Sequence, residues 1–220
     1  MMEIKVVKQI LAWNEDVSRQ VQELLAEKKV CMINVMGSPG AGKTSLITRI
    51  IESLRENYRI GVIEGDIAGQ IDADKIYAMG IPVVQLQTDG ACHIEAMSIQ
   101  HMLSMFDLDS LDVLLVENIG NLVCPAEFDT GAALNMMILS VPEGHDKPLK
   151  YPLVFQVCNA MIINKIDVMP YFDFDMEKVT EYARMRNPNI RIFPISAKTG
   201  EGVQALADWL TEQAQNWKQK

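Results

Sequence analysis

This 220-residue chain has no apolar run of the roughly 20 residues a helix needs to cross a membrane. Its opening, MMEIKVVKQILAWNEDVSRQ, is charged throughout and lacks both the apolar run and the small-residue cleavage site of a signal peptide. A cytoplasmic location with no membrane partner is therefore expected. A basic excess is missing too. The formal net charge of −9 argues against a nucleic-acid partner, because phosphate backbones are gripped by lysine and arginine. Cysteine is scarce and scattered (Cys31, Cys92, Cys124, Cys158), so reactive or ligand thiols are expected in place of disulfides. Repeats and low-complexity tracts are absent as well. The apolar and charged fractions are those of a globular protein, and the length suits one domain with a substantial core.

Apolar residues recur at helical spacing from about Glu3 to Lys28 (Val6, Ile10, Val17, Val21, Leu24, Leu25), which predicts an amphipathic N-terminal helix. Residues 1–29 are read as that helix, packed on a domain of residues 30–220. Seven short apolar runs follow: VCMINVM, RIGVIEG, PVVQLQ, DVLLVEN, ALNMMILSV, AMIINKI and IRIFPIS. Between several of them lie helical patterns, among them TSLITRIIESLRENY, HIEAMSIQHMLSMF, DMEKVTEYARMR and GVQALADWLTEQAQNW. Strand alternating with helix predicts an α/β fold: a mostly parallel sheet with helices on both faces and ligands at the carboxyl ends of the strands.

GSPGAGKTS, Gly37 to Ser45, fits the phosphate-loop pattern G-x-x-x-x-G-K-[ST] between the first strand and a helix. Gly40 and Gly42 let the backbone wrap a phosphate chain, with Ser38, Ala41 and Ser45 completing the cradle of amides. The following helix adds its positive end. Lys43 would neutralise the terminal phosphates, and the Thr44 hydroxyl would ligate Mg²⁺. Downstream, NKID (Asn164, Lys165, Asp167) follows another strand. A carboxylate at Asp167 matches the paired N–H donors of guanine and repels the ring acceptor of adenine. The stem of Lys165 can cover one face of the base. In ISAK, Ser196, Ala197 and Lys198 can offer a backbone N–H to the guanine carbonyl and a second covering side chain. GTP is the expected nucleotide.

Acidic residues near strand ends, Asp66 and Asp72 after VIEGD and Glu117 in LLVENIGN, are candidates for Mg²⁺ ligation or water positioning, while Asp74 reads as a surface carboxylate. Lys43, Thr44, Asp66, Asp72 and Glu117 form the predicted catalytic set. No Asp-x-x-Gly stands at the strand that normally holds the hydrolytic switch in Ras-like GTPases, and Gln70 is the only nearby glutamine that could orient water. Slow intrinsic hydrolysis is therefore expected.

Taken together, GSPGAGKTS, VIEGD with Asp72, ACH, ENIGNLVCP, EGHDKPLKYP, NKID and SAK resemble the HypB family of GTPases, which assist nickel insertion into [NiFe]-hydrogenase. The likeness runs from about residue 4 to residue 212. It implies a P-loop GTPase of the SIMIBI class, a homodimer formed on GTP binding, and Mg²⁺ held by Thr44, Asp72 and Glu117. It further implies a nickel or zinc site at the dimer interface built from Cys92, His93 and Cys124. Lys150, in PLKYP, matches a position near the interface and nucleotide. The implied partners are a nickel-delivering accessory protein and the hydrogenase large subunit. The cysteine-rich or histidine-rich N-terminal segment of some relatives is missing here, so high-affinity nickel storage is not expected. A urease-type nickel accessory GTPase is the rival likeness. There a residue separates the cysteine and histidine that adjoin in this chain.

Read without the resemblance, Cys92 is either a small buried hydrophobe or a metal ligand. A nucleophile with its base fits poorly, since neighbours at a helix start rarely face each other. Thiolate plus imidazole suits zinc or nickel. With the three ligands that the resemblance implies, a closed tetrahedral site wants a fourth, which a two-fold interface could supply from a second copy. Cys31 and Cys158 read as core, and His101 and His145 as surface. Glu117 and Cys124 share one short loop, so GTP-Mg²⁺ is expected to select the loop arrangement that completes the metal site. Two further readings stay open: a nickel or zinc buffer in which nucleotide is mainly structural, and a GTPase whose Cys92, His93 and Cys124 only pack.

Overall fold

Every one of the seven apolar runs forms a strand. In the computed structural model, which describes residues 2–65, 71–87 and 90–219, the side chains of residues 2–11, 71 and 72 lie outside the description. The strands are β1 (Cys31–Gly37), β2 (Ile60–Glu64), β3 (Val83–Gln85), β4 (Val113–Glu117), β5 (Leu134–Ser140), β6 (Ala160–Asn164) and β7 (Arg191–Pro194). The helices are α1 (Met2–Glu27), α2 (Lys43–Leu54), α3 (Ile71–Ala78), α4 (Ala96–Leu103), α5 (Cys124–Glu127), α6 (Lys147–Lys150), α7 (Pro152–Val157), α8 (Met176–Arg186) and α9 (Val203–Lys218).

All strand pairs are parallel, in the order β3-β2-β4-β1-β5-β6-β7. The central strands are buried along their whole length, which is why they read as unbroken apolar runs and not as alternating ones. From β1 the chain passes over β4 to reach β2, whereas from β4 it passes over β1 to reach β5. With right-handed crossovers, these opposite directions send the two connections to opposite faces and open a crevice at the carboxyl ends of β1 and β4. The phosphate loop leaves β1 at that point, and Glu117 ends β4 there.

The main core packs α1, α2, α4 and α9 against the sheet through residues such as Val21, Leu25, Ile47, Ile50, Ile99, Leu206 and Leu210. A second core, around Phe155, Met137, Leu139, Met161 and Val179, joins α7 and α8 to the sheet. Burying one such aliphatic side chain contributes about 1.5–3 kcal/mol. Helix α1 comes very close to the turn at Gly131. That glycine has φ +80°, and a Cβ there would sit 2.5 Å from the Ser18 carbonyl oxygen.

One local expectation changes. The helical pattern in HIEAMSIQHMLSMF begins only at Ala96, leaving Cys92 and His93 in an irregular bend. Between β5 and β6 the chain makes two short helices, each with a proline in its first turn (Pro148 and Pro152), where the missing N–H costs nothing.

Candidate functional site: a phosphate loop joined to a thiol–imidazole cluster

The phosphate loop closes around its own backbone. Gly40 and Gly42 adopt φ of +75° and +101°, the left-handed turns that only glycine takes cheaply, and Gly42 caps α2. Lys43 is buried, and its ammonium donates to the Gly37 and Ser38 carbonyl oxygens at 3.3 and 3.4 Å. Such long contacts leave a phosphate oxygen able to compete for the charge. The base-reading motif is fastened to this loop. Buried Asn164 donates to the Ala41 carbonyl at 2.9 Å, and Lys165, in the left-handed region, donates to the Gly40 carbonyl at 2.6 Å. A Cβ at Gly42 would approach Asn164 Nδ2 to 2.5 Å, so the two motifs are in direct contact.

Ser196 Oγ donates to Asp167 Oδ1 at 2.7 Å and itself accepts from the Thr199 amide, which orients the carboxylate. The Ala197 amide donates to Asn164 Oδ1 at 3.0 Å, so it fixes the asparagine instead of pointing outward to a base. Lys198 is exposed. Arg49 of α2 holds the Ala197 and Lys198 carbonyl oxygens at 2.8 and 3.0 Å, a brace the sequence reading missed. Lys150 stands apart from this cluster: it is exposed on α6 and paired with Asp146 at 2.6 Å, which holds the Asp146 carboxyl below its ordinary range.

At the crevice, Thr44 Oγ1 donates to Glu117 Oε1 at 3.1 Å. Glu64, only 1% exposed, pairs in register with Glu117 on the neighbouring strand, so two buried carboxylates end adjacent strands beside the loop. Hydroxyl and carboxylate oxygens facing a phosphate cradle form the hard donor set that suits Mg²⁺. Glu64 was not among the sequence candidates. Its signal was a lone carboxylate closing an otherwise apolar strand. Asp66 and Gln70 lie outside the described residues, as does the Asp72 side chain.

Across the same edge, donor atoms of Cys92, His93 and Cys124 all lie within 4.8 Å of one another. Cys92 Sγ is 3.3 Å from His93 Nδ1. Because the stretch is a bend and not a helix start, adjacent side chains do meet, contrary to expectation. The exposed Cys92 sulfur also meets the Cys124 sulfur, and that contact pushes the Cys92 thiol up, opposite to the shift that activates a nucleophile. Burial is also the main influence on His93 and lowers its pKa, favouring the neutral imidazole that binds metals. The His93 ring stacks on Phe128 at 4.0 Å, and its buried Nε2 faces Glu95 Oε1 at 3.6 Å. Neutral imidazole and paired thiols that exchange protons for a cation fit zinc or nickel. Cys31 and Cys158 are buried as expected, and burial pushes the Cys158 thiol up. His101 is exposed, but His145 is half-buried: it accepts from the Asp175 amide and meets the edge of Phe174, so the surface reading fails there.

The two halves are physically connected. Gly37, which opens the phosphate loop, forms an isolated bridge with Asn121, whose amide donates to the Cys92 carbonyl at 3.3 Å. Asn118, fully buried, accepts from the Ile94 amide at 3.2 Å and donates to Asn34 Oδ1 at 3.1 Å.

A sequence profile of the CobW/HypB/UreG nucleotide-binding domain matches residues 31–194. The hydrogenase maturation factor HypB of Azotobacter vinelandii is 41% identical over 210 residues, covering 96% of this chain and 69% of that protein. This chain belongs to the HypB family. Among solved structures, HypB from Archaeoglobus fulgidus superposes with a TM-score of 0.87 at 35% identity, over 93% of this chain and 100% of the other. HypB from Helicobacter pylori in complex with nickel gives a TM-score of 0.87 at 34% identity, over 92% and 95%. HypB of Helicobacter hepaticus, 38% identical over 97% of this chain and 90% of that protein, is named a maturation factor for both hydrogenase and urease. No helix among the described residues is long and apolar enough to cross a membrane.

Proposed function

We propose that this HypB-family chain is a slow GTPase that carries nickel, or zinc in its place, at a site completed between two copies, and assists nickel insertion into [NiFe]-hydrogenase. The carrying observation is the shared loop. Glu117, beside Thr44, and Cys124, beside Cys92, belong to one stretch whose middle residue Asn121 bridges to Gly37. The HypB relative crystallised with nickel supports the choice of metal.

In this reading Lys43, Gly40 and Gly42 hold the phosphates, while Asn164, Lys165, Asp167 and the Ser196–Lys198 loop select guanine. Lys150 joins the nucleotide or the interface only after leaving Asp146. Thr44 and Glu117, with Asp72, would hold Mg²⁺, which supplies positive charge to the phosphates undergoing cleavage. Asp66 is assigned to positioning water. Loss of the terminal phosphate would relax the loop and alter the geometry at Cys124, releasing the metal to the hydrogenase large subunit. Recharging would come from a nickel-delivering accessory partner. The dimer reading draws support from exposed Val123 next to Cys124, and from exposed Leu153 and Val157, which lie one turn apart on α7. Residues 1–29 act as an arm of the single GTPase domain that follows.

The test is linkage. Nickel affinity is measured with GDP and with a non-hydrolysable GTP analogue, and nucleotide affinity with and without nickel. The two ratios must be equal and differ from one. Identical nickel affinity in both nucleotide states would sink the proposal. Lys43→Ala separates a carrier from a buffer, because a buffer keeps its maturation phenotype once hydrolysis is lost.

A further inference from the structure

Helix α4 begins at Ala96, three residues after His93, and no side chain of its own caps it. The first N–H groups of a helix have no partner within the helix and must find one elsewhere. For Ala96 that partner comes from the N-terminal helix: its amide donates to Asn14 Oδ1 at 3.1 Å. The other end of the same side chain is also engaged. Asn14 Nδ2 donates to the Asp129 carbonyl oxygen at 2.8 Å. Asp129 directly follows Phe128, the ring on which His93 stacks, and Phe128 directly follows the short helix that Cys124 opens. One buried amide, 6% exposed, thus spans the two segments that carry the thiol–imidazole cluster.

Neighbouring contacts hold the same alignment. Ser18, one turn along α1, donates to Asp129 Oδ2 at 3.3 Å, and Asp129 Oδ1 accepts from the Gly131 amide at 2.9 Å. The tight fit of Gly131 under Ser18 and Val21 leaves no room for the turn to shift toward the helix. On the far side of His93, the Ile94 amide is fixed by Asn118. His93 is therefore bracketed by two buried asparagines, Asn118 next to the Mg²⁺ candidate Glu117 and Asn14 on the N-terminal helix.

We propose that Asn14 is a positioning residue of the metal centre, tying the His93 segment to the Cys124–Phe128 segment so that their ligand atoms stay within reach of one ion. This rests on reading Cys92, His93 and Cys124 as metal ligands. Groups that orient ligands from behind typically alter metal affinity by about 10- to 100-fold when removed. Replacing Asn14 removes the acceptor for a buried N–H and the donor for a carbonyl at once, so the two segments can drift apart without any ligand being touched.

The experiment titrates Ni²⁺ against a competing chelator, with guanine-nucleotide affinity measured in parallel. The 220-residue proteins are wild type, Asn14→Ala, Asn14→Asp, Leu25→Ala and Cys92→Ala. Asn14→Ala is expected to weaken nickel by about 10- to 100-fold while nucleotide affinity changes by less than about twofold. Asn14→Asp keeps the acceptor for Ala96 and loses the donor to Asp129, so it falls between; it also carries the test if the alanine variant does not fold. Leu25→Ala loosens the packing of the same helix without touching the brace and leaves nickel affinity near wild type. Wild-type nickel affinity in Asn14→Ala and Asn14→Asp, with loss in Cys92→Ala, overturns the brace and leaves the metal reading standing. Equal losses in Asn14→Ala and Leu25→Ala overturn it as well, since general loosening then explains both. Unchanged nickel binding in Cys92→Ala overturns the metal reading itself.

Discussion

Asn118→Ala is the most informative single perturbation of this molecule. The side chain is fully buried and makes three hydrogen bonds: its oxygen accepts from the Ile94 and Ile119 amides at 3.2 and 2.9 Å, and its nitrogen donates to Asn34 Oδ1 at 3.1 Å. Truncation orphans two backbone N–H groups and one amide oxygen in the interior. Each unsatisfied group costs about 1–3 kcal/mol, although Asn34 keeps its own bond to Asn135 and a water can enter the small void. A net loss of about 3 kcal/mol is expected, which for a chain of this size lowers the melting temperature by about 6–12 °C. Urea denaturation followed by circular dichroism measures it. Asn118→Asp serves as the comparison, because it retains the acceptor for both amides and loses only the donor to Asn34, at the cost of burying a charge. The functional arm is equally specific. With Glu117 and His93 no longer joined through residue 118, nucleotide and nickel affinities should each survive in folded protein while their mutual influence falls toward one. A loss below about 1 kcal/mol, or full coupling in the folded variant, would refute the argument that this buried amide connects the two sites.

Three other outcomes follow from the geometry. Ser196→Ala removes the 2.7 Å bond that orients Asp167 and should weaken GTP binding by about fivefold to thirtyfold, or 1–2 kcal/mol, with turnover of bound GTP unchanged. A fall in kcat with unaltered affinity would contradict it. Gly42→Ala forces a side chain into φ +101° against Asn164, so GTP binding measured by calorimetry should be lost while the fold persists; near-normal binding would show that the two motifs are not in contact. Asp112, linked to Arg59 and Lys218, has its carboxyl held well below the usual range, chiefly by the Arg59 guanidinium. A depressed folded pKa stabilises above the unfolded value near 3.9 and loses that contribution as pH falls toward the folded one. The melting temperature of Asp112→Asn should therefore trail wild type at neutral pH, with a gap that narrows on acidification below about pH 4. A gap that widens there would contradict the sign.

What could be read from sequence was whatever depends on neighbours along the chain. The turns of Gly40 and Gly42, the ammonium of Lys43 and the carboxylate of Asp167 follow from short motifs, because backbone geometry and charge do the work locally. The seven strands were legible for a similar reason, since burial on both faces leaves uninterrupted apolar runs. The supports were not legible. Arg49 reaches the Ser196–Lys198 loop across 148 positions of sequence, and Asn14 reaches Asp129 across 115. Nothing in the local pattern distinguishes these side chains from any polar residue on a helix. Glu64 lay between the two cases: its position at a strand end was visible, but its pairing with Glu117 required the strand order. The meeting of Cys92 with His93 was misjudged because helical periodicity was extended three residues too far toward the N-terminus.

The sheet's two outer strands are its shortest, three residues in β3 and four in β7. β7 ends in an exposed proline and begins with an exposed arginine, features that discourage another chain from adding on. A second copy is thus denied the simplest route to association, a sheet continued from one molecule into the next. On that side of the sheet, pairing is left to helices and loops. Self-association and uncontrolled polymerisation are thereby kept apart, since a loop-to-loop contact can close on itself with two-fold symmetry and stop at two molecules, whereas an open strand edge can always accept one more.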